Sequence, residues 1–115
     1  MFRLEETYLL RAEANLGAGN MAAAVADVNV ARARSNAAPA INVDIDYILD
    51  ERISELGVEE KRMFTLMPLG KWYDGVVKCN PFYASAALPK YNLWPIPQSE
   101  IERNRGVALE QNTGY

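Results

Sequence analysis

Apolar residues recur at helical spacing through the first third of the chain. On a helical wheel they share one sector between residues 2 and 17, which predicts a first helix there. The next four residues, Gly17 to Asn20, indicate a stop and a turn, with a glycine available for a left-handed position. Met21–Ser35 is then predicted as a second, alanine-rich helix, and so short a connection makes the pair an antiparallel hairpin. The apolar sector of the first helix contains Phe2, Tyr8, Leu9, Ala12 and Leu16.

The middle of the chain continues the helical pattern. Asp44 is a candidate N-cap for a third helix over residues 45–56, and Gly57 is expected to break or kink it. A fourth helix is predicted over residues 58–67, with Pro68 ending it, followed by two more turns over residues 71–78. Ser99 is expected to cap a last short helical turn. Because no segment alternates strongly between apolar and polar residues, the sequence predicts an all-α fold with little strand.

Small residues in the first hairpin have the spacing of a tetratricopeptide-like helix pair. They are Ala12, Gly19, Ala24 and Ala31. No second copy follows at a fixed period, so the pattern alone does not predict a repeat array.

A proline-containing stretch near the C-terminus carries large apolar side chains. Pro95 and Pro97 each fix φ and remove a backbone donor, so this stretch is neither a helix interior nor a central strand. Leu93, Trp94 and Ile96 favour burial, and a stiff extended ribbon that carries them is expected to pack on a preformed body. We therefore predict that Trp94 lies in the core.

Charged residues interrupt the apolar faces of three predicted helices. Glu5 lies in the first, Arg32 in the second and Arg52 in the third. A charge on a core-facing stripe is costly unless it is paired and hydrogen-bonded. We expect Glu5 or Glu6, together with Glu13, to accept hydrogen bonds from Arg32 or Arg52 as a structural charge network. The alternative is that one of these acids serves catalysis or binds a ligand.

The composition argues against several classes of function. With 12 basic and 15 acidic residues, and a net charge of −3, the 115 residues lack the basic stripe that nucleic acid requires. The sequence has no histidine and a single cysteine, Cys79, expected to be a half-buried small hydrophobe. We predict no catalytic residues, no metal site and no cofactor. No apolar run approaches the length of a membrane span.

Two groups of residues remain as candidates for function. Three local pairs of carboxylates are interpreted as surface acids at helix ends, because no neighbouring motif would separate their pKa values. Trp72 and Tyr73 lie beside the break at Pro68 to Gly70 and are the candidate ligand-binding residues; the alternative places them in the core. The acid pairs are Asp44/Asp46, Glu59/Glu60 and Glu100/Glu102.

Several segments, in order, resemble the C-terminal region of the SusD/RagB family of nutrient-uptake outer-membrane lipoproteins. The last of them, residues 94–101 and 111–115, is similar to the closing motif of that family. The chain departs from the family pattern at residues 63–68, where Met63 and Pro68 stand in place of the usual residues. The other similar segments are residues 3–14, 29–34, 48–52 and 55–56.

The resemblance implies a fold and a function. It implies tetratricopeptide-like helical hairpins with the C-terminal segment packed on them, in a single domain over residues 1–115 that is a fragment of a longer protein. It implies a non-catalytic component of an uptake complex that binds a glycan or peptide beside a SusC-like TonB-dependent transporter at the cell surface. The outer membrane would be reached only through a lipid anchor absent from this chain. The alternative is a free-standing helical-repeat domain that binds a protein or peptide.

Overall fold

The computed structural model describes residues 3–115, and every regular element within them is helical, so the predicted all-α class is confirmed. The residues form two compact units, Met1–Glu60 and Lys61–Tyr115. The prediction of a single domain stays a prediction. The helices are α1 (Leu4–Gly17), α2 (Met21–Arg34), α3 (Ile45–Leu56), α4 (Arg62–Leu66), α5 (Trp72–Cys79) and α6 (Gln98–Arg103), with 3₁₀ turns at Gly57–Glu59 and Pro89–Asn92.

Helices α1 and α2 form the predicted hairpin. Gly19 has φ +78° just beyond the end of α1, a conformation that glycine adopts without strain, and the side chain of Asn20 caps α2 by accepting from the amide of Ala23. Because many of the facing residues are alanines, the two backbones approach closely around the fully buried Leu9 and Val28. The tetratricopeptide-like character of this pair stays a prediction. Phe2, assigned to the apolar sector of the first helix, lies outside the described residues.

Helix α3 packs on this hairpin and begins where the sequence predicts. The carboxylate of Asp44 accepts a hydrogen bond from the amide of Tyr47 at 2.7 Å, and Ile48 is fully buried. The predicted fourth helix over residues 58–67 is wrong in extent. Gly57, at φ +54°, starts a 3₁₀ turn instead, and the helix resumes only as the short α4.

The unit Lys61–Tyr115 has short helices and long connections. Helix α5 begins after a turn at Gly70, which has φ +66°. The predicted cap of the last helical turn is wrong: α6 starts at Gln98 behind Pro97, and Ser99 lies inside the helix without capping it. Pro97 suits the entry because its φ of −55° is already close to helical. Cys79, predicted as half-buried, is an exposed free thiol at the end of α5.

The proline ribbon, residues 93–97, is held by the side chains of three of the last five residues: Gln111, Asn112 and Tyr115. The amide group of Gln111 donates to the carbonyl of Ile96 and accepts from its N–H, both at 2.8 Å. Asn112 donates to the carbonyl of Trp94 at 2.7 Å, and the Tyr115 hydroxyl donates to that of Leu93 at 2.9 Å. Side chains replace a partner strand here because prolines on both sides of Ile96 cannot donate.

The prediction that Trp94 lies in the core is wrong. Its side chain is 57% exposed, although its backbone is fixed by Asn112. Hydrogen bonds to the carbonyls of the ribbon, rather than burial of its apolar side chains, hold it in place. The backbone at Trp94 is therefore fixed although the indole is exposed.

Candidate functional site

An open groove with aromatic walls lies in the unit Lys61–Tyr115. We call it the Trp72 groove; it has a volume of about 420 Å³. Helix α5 supplies Trp72 and Val76, Asn80 follows the helix directly, and Tyr83 and Tyr91 come from the connection beyond it. The two small residues Ala86 and Ala87 complete the lining.

Trp72 and Tyr91 meet edge to face in this groove. Their ring centroids are 6.0 Å apart and the rings are inclined by 84°, the arrangement that the aromatic quadrupole favours. The backbone N–H of Tyr73 donates to the Asn92 side chain at 2.9 Å, which fixes the Pro89–Asn92 turn against the start of α5. The sequence candidate Trp72 therefore lines the groove, whereas its neighbour Tyr73 is not among the lining residues and contributes a backbone contact.

Tyr83 is a groove residue that the sequence reasoning did not select. Its carbonyl accepts from the amides of Ala86 and Ala87 at 3.0 and 2.9 Å, so its backbone is fixed in a tight turn. Its side chain is nonetheless 66% exposed. The adjacent Phe82 is 91% exposed and is not a lining residue. Sequence alone could not separate these neighbours, because only the turn decides which ring faces the groove.

A second concave surface in the same unit contains the exposed Trp94. We call it the Phe64–Trp94 hollow; its volume is about 370 Å³. Phe64 lines the hollow and is 65% exposed, and the amide oxygen of Asn92 already accepts from the N–H of Tyr73. The remaining lining residues are apolar: Met67, Pro68 and Leu93.

Arg52 lies at the centre of one part of the predicted charge network. It is 3% exposed, and its Nε and Nη2 each donate to one carboxylate oxygen of Glu60 at 3.1 Å. Glu6 lies 3.8 Å from Nη2. Nη1 is buried and has no hydrogen-bond partner among the described residues. Arg52 and Glu6 thus lie within ion-pair distance without a hydrogen bond, while Glu60, which the sequence reasoning missed, accepts both hydrogen bonds.

The other predicted members pair differently. Arg32 donates to Glu51 at 2.5 Å and to the carbonyl of Ala38 at 2.7 Å, rather than to an acid of α1. Glu5 pairs with Arg34 and lies 3.6 Å from Arg3. Glu13 makes no ion pair with Arg32 or Arg52 in the part of the chain that the structure describes.

Local hydrogen bonds determine the charge state of Glu5. A backbone hydrogen bond is the main cause of the lowered pKa of Glu5. Desolvation opposes it, and the hydrogen bond from Arg34 together with the charges of Arg34 and Arg3 adds to the lowering. The carboxylate is therefore ionised at neutral pH and serves as an acceptor between helices, which supports the structural interpretation of the network.

Asp27 is a further buried acid that the sequence reasoning missed. Arg11 donates to its two oxygens at 2.9 and 2.6 Å, and Asn15 donates at 3.0 Å. The hydrogen bonds from Arg11 are the main cause of a lowered pKa of Asp27, against the opposing effect of burial. The bidentate fork joins α1 to α2.

Comparison with known proteins adds three findings. The model of the SusD family matches residues 1–115. The starch-binding protein SusD of Bacteroides thetaiotaomicron is 33% identical over 120 residues, an alignment that covers 100% of this chain and 21% of that relative. The chain therefore spans about a fifth of the length of the relative. No solved structure matches the chain.

Proposed function

The chain belongs to the SusD family, and we propose that it is part of the non-catalytic, glycan-binding component of an outer-membrane nutrient-uptake complex. In this proposal the present 115 residues act mainly as a helical scaffold and as a surface for a partner. The partner is a SusC-like TonB-dependent transporter, and the complex lies at the cell surface. The name of the relative supports a starch-type oligosaccharide as the first ligand to try.

The single observation that carries the partner surface is the exposure of the Phe64–Trp94 hollow. Phe64 and Trp94 are both more than half exposed around a concavity lined by apolar residues. Large aromatic side chains in such a setting are the usual anchors of protein interfaces. The backbone at Trp94 is fixed by Asn112, so the indole is presented with little loss of conformational freedom on binding.

The scaffold role is supported by the unit Met1–Glu60. Its hydrophobic core is closed by α1, α2 and α3, and charged side chains join the same helices through Arg11–Asp27 and Arg32–Glu51. The pair Arg52–Glu60 ties α3 to the residue that follows the Gly57–Glu59 turn. A body held by both packing and ion pairs suits a supporting role, because it resists local opening.

Co-purification with a SusC-like transporter from the same genome tests the proposal. We expect the tagged chain to retain the transporter, and Phe64→Ala and Trp94→Ala each to weaken retention at least tenfold, since truncating an interface anchor costs 1.4 kcal/mol or more, as an order of magnitude. Phe82→Ala removes a still more exposed ring that lies outside the hollow, and it should leave retention unchanged. Equal loss in all three variants, or no retention of the wild-type chain, would contradict the partner surface.

A glycan array and a peptide-binding screen separate this function from a free-standing helical-repeat interaction domain. Binding of a defined peptide by the wild-type chain, with neither a glycan nor the transporter bound, would favour that alternative.

A further inference from the structure

We propose that the Trp72 groove binds one uncharged pyranose ring of an oligosaccharide, held between the rings of Trp72, Tyr83 and Tyr91. This inference rests on the proposed glycan-binding function and assigns a ligand position within these 115 residues. Its basis is the chemistry and rigidity of the groove, and it is separate from the Phe64–Trp94 hollow, which we assign to a protein partner.

The walls of the groove match the two surfaces of a sugar ring. A pyranose has an apolar face of C–H groups and a rim of hydroxyl groups, so it binds where an aromatic face stands beside hydrogen-bonding groups. Tryptophan and tyrosine each offer an apolar ring with one polar atom, and the Asn80 amide adds both a donor and an acceptor. In the Phe64–Trp94 hollow, the oxygen of the Asn92 amide already accepts from Tyr73, and the lining residues other than Asn92 and Trp94 have no side-chain oxygen or nitrogen.

The charge distribution points to a neutral ligand. The sequence has 12 basic and 15 acidic residues, yet none of the residues that line the groove is charged. The ammonium of Lys90 lies 5.6 Å from the ring centroid of Tyr91, but it already donates to the carbonyl of Gly114. An acidic sugar, a phosphate or a charged peptide side chain would therefore lose its hydration with little counter-charge in return. A neutral ring with many hydroxyl groups does not incur that cost.

The size and rigidity of the groove suit a small part of a longer glycan. Its volume of about 420 Å³ is at the lower end of the range for ligand pockets, and the groove is open to solvent, so a longer glycan can extend beyond it. The Trp72–Tyr91 contact and the Tyr73–Asn92 hydrogen bond fix the rings of Trp72 and Tyr91 before binding, and the turn at Tyr83 fixes the backbone that carries the third ring. Such preorganisation lowers the entropic cost of binding.

NMR titration of the 115-residue chain with maltoheptaose, cellohexaose, xylohexaose and a tri-galacturonate tests the inference. We expect at least one neutral oligosaccharide to shift the signals of Trp72 and Tyr83, and the acidic sugar to shift neither. Tyr83→Ala should raise the Kd at least tenfold, because the ring is exposed and its loss removes one wall of the groove. Phe82→Ala, the neighbouring exposed ring outside the groove, should leave the Kd within twofold.

Three outcomes would overturn the inference: no neutral sugar binds, the shifts map to residues away from the groove, or Tyr83→Ala and Phe82→Ala have the same effect. Failure here is distinguishable from failure of the proposed function. A chain that still retains the transporter through Phe64 and Trp94, but binds no sugar in the groove, refutes only the inference. A chain that binds sugar in the groove without retaining the transporter refutes only the partner surface.

Discussion

The two units use different means to hold their backbones in place. In the described part of Met1–Glu60, nine hydrophobic residues are buried, whereas Lys61–Tyr115 buries only Leu66 and Met67. The second unit instead fixes its chain through side-chain hydrogen bonds to carbonyls, as Gln111 and Asn112 do for the proline ribbon. The difference shows that a backbone can be ordered without burial of its side chains. The second unit holds its backbone in place while its large aromatic rings stay available for binding.

Both tryptophans, Trp72 and Trp94, lie in Lys61–Tyr115. Tryptophan fluorescence therefore reports on that unit, while the long helices of Met1–Glu60 dominate the far-ultraviolet circular dichroism. The two signals allow each of the following changes to be assigned to one unit.

The largest effect is expected from the buried ion pair. Arg52→Met leaves the carboxylate of Glu60 buried without its partner, which should lower the free energy of unfolding by about 3–5 kcal/mol. Urea denaturation followed by circular dichroism measures the loss. The double variant Arg52→Met with Glu60→Leu should recover most of it, and Lys61→Met, at an exposed site, should change it by about 0.5 kcal/mol or less. An unchanged urea midpoint for Arg52→Met would show that the Arg52–Glu60 ion pair does not contribute to the stability of the unit.

Truncation of the same side chain in each unit compares the two directly. Leu9→Ala removes a fully buried side chain and should destabilise Met1–Glu60 by about 2–5 kcal/mol. Leu93→Ala removes a half-exposed one and should change the stability of Lys61–Tyr115 by about 1 kcal/mol or less. Denaturation curves read by circular dichroism and by fluorescence give the two values. Similar losses at both positions would mean that the second unit has a core comparable to the first.

The hydrogen bonds to the proline ribbon should contribute a smaller amount. Gln111→Glu keeps the shape of the side chain but replaces its donor by a charged oxygen facing the carbonyl of Ile96, with an expected local cost of about 1–3 kcal/mol. Hydrogen exchange at the Ile96 amide, which donates to Gln111, should accelerate accordingly. Asn104→Asp makes the same change of charge at an exposed position and should leave that exchange rate unaltered.

The smallest effect concerns acid and belongs to Met1–Glu60. Because the pKa of Asp27 is lowered in the folded chain, its contribution to stability is complete above its unfolded pKa of about 3.9. That contribution is lost as the pH falls through the folded pKa, with a slope of at most about 1.4 kcal/mol per pH unit for one proton. Asp27→Asn should remove this component, so the stabilities of wild type and variant converge as the pH is lowered. If the difference in unfolding free energy between wild type and Asp27→Asn stayed constant as the pH is lowered, the stabilising role of the ionised Asp27 would be contradicted.

Much of the first unit could be predicted from the sequence because its signals are local. Helical spacing of apolar residues and a cap such as Asp44 depend on neighbours in the chain, and the structure follows them closely. The interruption at Gly57 was foreseen as a break, but its length was not, since a 3₁₀ turn and an α-helix share the same residue preferences.

The charge partners and the groove could not be predicted in the same way. Glu60, Glu51 and Asp27 look like ordinary surface acids in sequence, and only the packing of helices places them beside Arg52, Arg32 and Arg11. For Trp94, hydrophobicity predicted burial, yet the residue is exposed because a hydrogen bond from Asn112 rather than apolar contacts fixes its backbone. Tyr83 was not selected from the sequence, because only the turn decides which of the two neighbouring rings lines the groove.

The two hydrogen bonds between Gln111 and Ile96 also protect the ribbon from pairing with another chain. An extended segment with unpaired amides is a template on which another chain can add a strand, a common route to aggregation. From Pro95 to Pro97 no amide is left for such pairing: the prolines have none, and that of Ile96 is taken by Gln111. The carbonyls of Leu93, Trp94 and Ile96 are likewise occupied. The protein can thus display an extended, aromatic-bearing edge in water without inviting fibril-like growth from it.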